Sequence, residues 1–282
     1  MTLKIEKADG IGFCFGVKRA IDIIEKIARE HGHVETLGAL VHNQQVLKRL
    51  SDIGVRIAEN IDDITGNTVA IGAHGVSPQL EKEIRNKYSE IIDTTCPFVH
   101  RAQVAAQRLA ENGFFVIIYG DSNHPEVKGI LGWADGKGIA TLEENLKLDN
   151  LSHRLGVLSQ TTQIPSNFTE FVKKLIDSAL AKDTELHITD TICHDIRERQ
   201  QAALNLAKRS DMMLVIGSHT SANTNHLARL CATITETHLI ENAEEIDLSW
   251  LKENQKIGIT SGASTSEETI NKVLAKLEAM VL

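Results

Sequence analysis

A chain of 282 residues with 42% hydrophobic and 24% charged side chains can bury a sizeable core and fold in two or three domains without help from disulfides. Its formal net charge of −8, with Lys and Arg scattered along helices, excludes a phosphate-backbone partner, because nucleic-acid binders gather a basic stripe. The four cysteines, the lack of a basic-then-apolar leader in MTLKIEKADG, and apolar runs far short of the ~18 residues of a membrane span predict a reduced, cytosolic chain with no membrane partner.

The first chemical feature is GFCFGV, which sets Cys14 between two glycines. Val17, Ala20, Ile21, Ile24, Ile27 and Ala28 then recur at helical spacing up to Gly32. VETLGAL is a short strand, and VHNQQVLKRLSDIG is a polar turn at His42 and Asn43 that opens a second helix. A further strand, TVAIGAHGVS, runs into a small-residue loop holding His74. At Cys96 the order begins again. PFVHRAQVAAQRLAENG is a helix, FFVIIYG a buried strand, DSNHPEVKGILG a polar turn with His124 and Glu126 that opens a helix, and RLGVLSQTTQIPS a strand entering a loop with Thr161. A third pass starts at Cys193. HDIRERQQAALNLAKRS is its helix, DMMLVIGS its strand, HTSANTNHLARLCAT its polar turn and helix with Ser221, Ala222 and Asn223, and KIGITSGASTSEE its closing strand and loop with Ser264.

The spacings repeat with the order: 42 − 14 = 28, 124 − 96 = 28 and 223 − 193 = 30. Periods of 96 − 14 = 82 and 193 − 96 = 97 residues predict an α/β fold of three similar small lobes. Their boundaries are 14–95, 96–192, and 193–282 plus 1–13. Buried strands alternating with helices call for mostly parallel sheets, whose ligands sit beyond the strands' carboxyl ends, where helix N-termini present unpaired N–H groups. Lobes packed around a pseudo-threefold central site bring Cys14, Cys96 and Cys193 to one point, ringed by His42, His74, His124, Thr161, Ser221, Asn223 and Ser264.

Each residue also has a plain structural reading. A lone cysteine is usually core, but three at equivalent places in three repeats read as a ligand set; Cys231, at no equivalent place, is core filling. His42 and His124 could cap helices, yet their matched positions favour a ligand-facing role. His74 lies in a turn that needs Gly75 for backbone reasons. Glu126 is either a solvated first-turn acid favoured by the helix dipole or a proton donor beside a metal centre. The Ser, Thr and Asn residues are common N-caps, a role compatible with anion binding at the same helix end. Three thiolates could hold zinc with one open position or three corners of an iron–sulfur cluster; an all-thiolate set leans toward iron and sulfur. The chain has no CxxC, no GxGxxG after its first strand and no P-loop, so neither flavin nor nucleotide is expected by those routes.

GFCFGV, VHN, AHGVS, DTTCP, HPEVKG, SQTT, TICHDIRERQ, GSHTSANTNHL and SGAS, in that order across almost the whole chain, resemble the 4-hydroxy-3-methylbut-2-enyl diphosphate reductase family. The resemblance implies a 4Fe-4S cluster on Cys14, Cys96 and Cys193 with the fourth iron open to substrate. It also implies reductive dehydroxylation of that allylic diphosphate to isopentenyl and dimethylallyl diphosphate, the final step of the non-mevalonate isoprenoid pathway, with electrons from a ferredoxin or flavodoxin. By resemblance His42, His74, His124 and Thr161 line the substrate pocket, Ser221, Asn223 and Ser264 bind the diphosphate, and Glu126 delivers protons. The family often reads SSN where this chain reads SAN, so Ala222 offers at most its backbone N–H. Two rivals remain: a zinc hydrolase or lyase, which would be colourless where an iron–sulfur protein is brown, and a non-catalytic redox sensor, which would bind no diphosphate.

Overall fold

FVIIY and MMLVI are apolar at every position because both faces of their strands are covered, the signature of a parallel sheet between helix layers. The computed structural model of the chain describes residues 3–41, 43–146, 152–180 and 183–280. In chain order the first elements are β1 (Lys4–Lys7), α1 (Phe15–His31), β2 (Val34–Leu37), α2 (Gln44–Asp52), β3 (Val55–Ala58), β4 (Thr68–Ile71), α3 (Pro78–Lys87) and β5 (Glu90–Asp93). After them come α4 (Pro97–Glu111), β6 (Phe115–Tyr119), α5 (Pro125–Trp133), β7 (Gly138–Thr141), β8 (Arg154–Ser159), α6 (Pro165–Leu180) and β9 (Glu185–Ile188). The last are α7 (His194–Ala207), β10 (Met212–Ile216), α8 (Ala222–Ala232), β11 (Glu236–Ile240), β12 (Lys256–Ser261) and α9 (Glu267–Ala279).

The strands form three four-stranded sheets, ordered β3-β2-β4-β5, β7-β6-β8-β9 and β11-β10-β12-β1, and every pairing is parallel. Counted from the strand after each cysteine's helix, all three orders read second, first, third, fourth, with β1 taking the fourth place of the last sheet. The expectation of three similar α/β repeats is met, and the sheets are wholly parallel among the described residues. The order reverses between first and third strands, so the loops leaving those two strands flank the crevice where open α/β sheets bind ligands.

By packing, the chain divides into two units. One comprises Met1–Lys18, Val41–Arg49 and His194–Leu282; the other comprises Arg19–Leu40 and Leu50–Cys193. In the first, Met212, Leu214 and Ile216 of β10 face Ile270, Val273 and Leu277 of α9, while the alternate residues Met213 and Val215 face Ala203 and Leu206 of α7 and Leu227 and Cys231 of α8. The period of two is that of a strand buried on both sides. Cys231 is therefore core, as expected, and burial pushes its thiol up to about 11. In the second unit, Val116, Ile118 and Leu158 pack with Ala102, Ala106, Leu109, Val127 and Ile130, and Ile117, Tyr119, Leu155 and Val157 pack with Phe168, Phe171 and Leu175.

That second unit also fixes the loop after β4. Gly75 has φ +64°, and a Cβ there would run into the Gln103 amide, so only glycine turns the chain at this point. The following Val76 carbonyl accepts hydrogen bonds from Trp133 Nε1 (3.0 Å) and Gln103 Nε2 (3.4 Å). His74 is thereby held between α4 and α5.

Candidate active site and metal centre

The three cysteines share one backbone device. Cys14 N–H donates to the Ala263 carbonyl (2.9 Å), Cys96 N–H to Ala73 (3.0 Å) and Cys193 N–H to Thr161 (2.9 Å). Each acceptor lies two residues beyond the end of a third strand: 263 − 261, 73 − 71 and 161 − 159 all equal 2. A helix begins at the next residue in each case: Phe15, Pro97 and His194. Backbone N–H groups of a first helical turn point back at the sulfur and favour its anionic form. Val17 N–H donates to Cys14 Sγ at 3.4 Å. Burial pushes the Cys96 thiol up against the opposing Phe98 and Val99 N–H groups; the Glu126 carboxylate adds to the push, and Arg19 pulls the other way. None of the four cysteines forms a disulfide.

In the unit holding Cys96 and Cys193, the sequence-predicted residues come together. Glu126 is 2% exposed, in the first turn of α5, and its carboxylate accepts from Thr161 N–H through Oε1 (2.7 Å) and from Thr161 Oγ1–H through Oε2 (2.9 Å). Burial raises the carboxyl above its ordinary range, and the two Thr161 bonds only partly offset that push. Thr161 links this acid to Cys193, whose N–H its carbonyl accepts. His124 caps α5, its Nδ1 accepting the Glu126 N–H (3.2 Å), which puts the proton of a neutral imidazole on Nε2. The His74 and His124 rings meet edge to face with centroids 5.2 Å apart. The surface reading of Glu126 is excluded, and the capping reading of His124 is met.

In the other unit, Cys14 lies beside Ala263 and Ser264 through the bond already described. Asn43 joins them: its Nδ2 donates to the Ser264 carbonyl (3.2 Å), while its Oδ1 accepts Val46 N–H (3.0 Å) at the head of α2. Ser221 caps α8, accepting Thr224 N–H (3.3 Å), and leaves Ala222 and Asn223, both half-buried, in the first turn. His42 lies outside the described residues. His219, Glu241 and Glu245 also cluster here, but their polar atoms close a turn: Glu245 accepts from Glu241 N–H and Asn242 Nδ2, both at 3.0 Å, and sits 2.9 Å from His219 Nε2.

The backbone also revises the register of the repeats. His124 stands five residues beyond Tyr119, and Ser221 five beyond Ile216, so the spacing that matches 124 − 96 = 28 is 221 − 193 = 28. Ser221, not Asn223, is the counterpart of His124. Asn223 shares instead the place of Glu126, since 223 − 216 = 126 − 119 = 7. In the closing loops, Thr161 corresponds to Ala73 and Ala263, and Thr162 to His74 and Ser264. Residue type drew amide to imidazole and hydroxyl to hydroxyl across that shift; the strand ends reveal it.

These features define a class: an α/β protein of three repeated parallel sheets, with a thiol heading a helix in each repeat and a buried acid and polar helix caps at the carboxyl ends. The chain belongs to the LytB protein family, whose model matches residues 5–278. It is 63% identical over 280 residues to the 4-hydroxy-3-methylbut-2-enyl diphosphate reductase of Dehalococcoides mccartyi strain CBDB1, covering 99% of each chain. Its identity to the Geobacter metallireducens protein of the same name is 40% over 279 residues, covering 98% of this chain and 97% of the relative. Among solved structures it resembles (E)-4-hydroxy-3-methyl-but-2-enyl diphosphate reductase, described as the terminal enzyme of the non-mevalonate pathway, with TM-score 0.72, 34% identity and coverage of 99% of this chain and 100% of that one. It also resembles the Plasmodium falciparum E-1-hydroxy-2-methyl-but-2-enyl-4-diphosphate reductase, with TM-score 0.87, 27% identity and coverage of 96% and 87%. No helix among the described residues is long and apolar enough to cross a membrane.

Proposed function

We propose that the chain reduces 4-hydroxy-3-methylbut-2-enyl diphosphate to isopentenyl and dimethylallyl diphosphate as the last step of the non-mevalonate pathway, in the cytoplasm, with electrons from a ferredoxin or flavodoxin. The observation that carries this reading is the buried Glu126 carboxyl hydrogen-bonded to Thr161, which is itself bonded to the backbone of Cys193. A protonatable acid beside a thiol suits a reaction that must turn a hydroxyl into water at a metal centre.

The donor set fits an iron–sulfur cluster. Cys14, Cys96 and Cys193 are reduced thiols at matching helix starts, each with its own N–H tied to a third-strand loop. Cys14, Cys96 and Cys193, three soft ligands from the three repeats, would hold a 4Fe-4S cluster and leave one iron without a protein ligand. Such a cluster supplies single electrons and a Lewis-acidic iron when bound. In this reading the lobes are 14–95, 96–192, and 193–282 with 1–13, each giving one thiol.

The chain's own residues do the rest. A protonated Glu126 donates from Oε2 to Thr161 Oγ1, whose own proton turns toward the substrate hydroxyl, so the acid and its relay move one proton without water between them. Overall, two electrons and two protons enter and one water leaves. His42, His74 and His124 line the substrate pocket. Ser221, Ala222 through its N–H, Asn223 and Ser264 hold the diphosphate, where helix N-termini and charge-assisted hydrogen bonds replace lysine and arginine.

The test is anaerobic purification, iron and sulfide analysis, and assay with a one-electron reductant. Brown protein that converts the diphosphate with loss of water is the expected result. Colourless zinc protein, or cluster-loaded protein without diphosphate binding, overturns the reading.

A further inference from the structure

The loop before Cys14 is the longest of its kind. Six residues lie between Lys7, the end of the fourth strand, and Cys14, against two between Asp93 and Cys96 and four between Ile188 and Cys193. It contains Gly10 at φ +70° and Gly12 at φ +95°, and Phe15, just after the thiol, is 58% exposed. A long, glycine-bearing tether holds a thiol poorly unless something outside it fixes the backbone.

Arg199 supplies that contact from α7. Its Nη1 donates to the Gly12 carbonyl (2.7 Å) and its Nη2 to the Phe13 carbonyl (2.9 Å), so one planar fork grips the two peptide groups immediately before Cys14. The side chain is buried, and its charge is met by Asp195, 3.1 Å from Nε. Asp195 also accepts the Phe15 N–H (3.4 Å), the first amide after the cysteine. The pair thus brackets Cys14 on both sides. In the other unit the same device recurs: Arg19 Nη1 reaches the Thr94 and Thr95 carbonyls, both at 3.3 Å, the two peptide groups before Cys96.

We infer that Arg199, braced by Asp195, is the positioning residue that aims the Cys14 thiol at the metal centre. The inference rests on the proposed role of Cys14 as a cluster ligand. Lysine keeps the charge but offers a single point in place of a fork, so Arg199→Lys frees one of the two carbonyls.

The test is timed iodoacetamide labelling of protein reconstituted with iron and sulfide, with each cysteine peptide followed by mass spectrometry and the melting temperature recorded in parallel. In Arg199→Lys, Cys14 should be alkylated about tenfold or more faster than in the unaltered protein, the factor set by one lost charge-assisted hydrogen bond, while Cys96 and Cys193 stay protected at their original rates. Asp195→Asn should shift Cys14 in the same direction by less, and it bears the test alone where Arg199→Lys yields no soluble protein. Cys14 protection unchanged in the variants, or all three thiols opening in step with a fall in melting temperature, overturns the inference. Failure of the ligand reading looks different: Cys14 of the unaltered protein would then label equally fast with and without iron and sulfide while Cys96 and Cys193 are shielded.

Discussion

The Glu126 carboxylate takes both of its hydrogen bonds from one residue, Thr161, and is otherwise shut away from water. Two donors from one neighbour hold the carboxyl in a single orientation, while burial favours the protonated form. Glu126→Gln keeps the shape and removes the transferable proton. Turnover with a one-electron reductant should drop on the order of 10²-fold or more, while the cluster's visible spectrum and substrate affinity stay close to those of the unaltered protein; unchanged turnover would remove Glu126 from the mechanism. A second outcome concerns stability. Burial holds the folded-state pKa above the ordinary glutamate value of 4.5, so this group's contribution is full below that pH and is lost as pH rises through the folded value. Melting temperatures of the unaltered protein and of Glu126→Gln, compared from pH 4.5 upward, should therefore converge or cross in the variant's favour as pH rises. A constant offset across the range would mean that Glu126 titrates like an exposed acid. The residue types needed here are visible in HPEVKG and SQTT, because a general acid must titrate and its relay must carry a hydroxyl. Their mutual contact is not visible, since positions 126 and 161 meet only through the side-by-side pairing of β6 and β8.

Elements carry the next level of specification. The order of helix, strand and polar turn in each repeat can be read from periodicity alone, because strands buried on both faces are continuous apolar runs and their helices stop at glycine. The register of the turns cannot, because an offset of one or two residues in a loop leaves the order of elements intact; the two-residue shift between Asn223 and Ser221 and the one-residue shift between Thr161 and Thr162 both arise in this way. Arg199 escapes sequence reading for another reason: its targets are main-chain carbonyls, which every residue has. The loop after β4 gives a prediction at this scale. Gly75→Ala introduces a methyl group against the Gln103 amide at a left-handed φ, which should cost about 1–2 kcal/mol, displace His74 and raise KM for the diphosphate more than it lowers kcat; steady-state kinetics at two pH values would check it. On β2, burial alone would raise the Glu35 carboxyl, but N–H groups of Gly66 and Thr65 and the Arg56 guanidinium hold it below the usual range. Glu35→Gln should destabilise the chain by about 1–2 kcal/mol, the scale for weakening hydrogen bonds to one buried charged group whose Arg56 partner is half exposed, with kcat of the surviving folded fraction unchanged; urea unfolding measures the first and active-site titration the second.

For the whole molecule, the proposed function has each repeat supply one thiol, so no single repeat would hold the metal alone. Cys96→Ser should bleach the visible absorption of the anaerobic protein, and stripping iron from the unaltered protein with a chelator should lower its melting temperature, since whatever binds only the folded chain adds to its stability. Full colour in Cys96→Ser would mean that the metal sits elsewhere.

β1 pairs with β12, so Lys4 finds its partner at Lys256, 252 positions further along the polypeptide. During synthesis this segment must therefore leave the ribosome well before β12 and wait, unpaired, until that partner has been made. Its sequence, KIEK, suits the wait: three of four side chains are charged, which keeps an orphan strand soluble and discourages neighbouring nascent chains from zipping onto it. The last sheet is then the slow one, and refolding followed by hydrogen exchange should show the amides of β1 acquiring protection after those of β6 and β8.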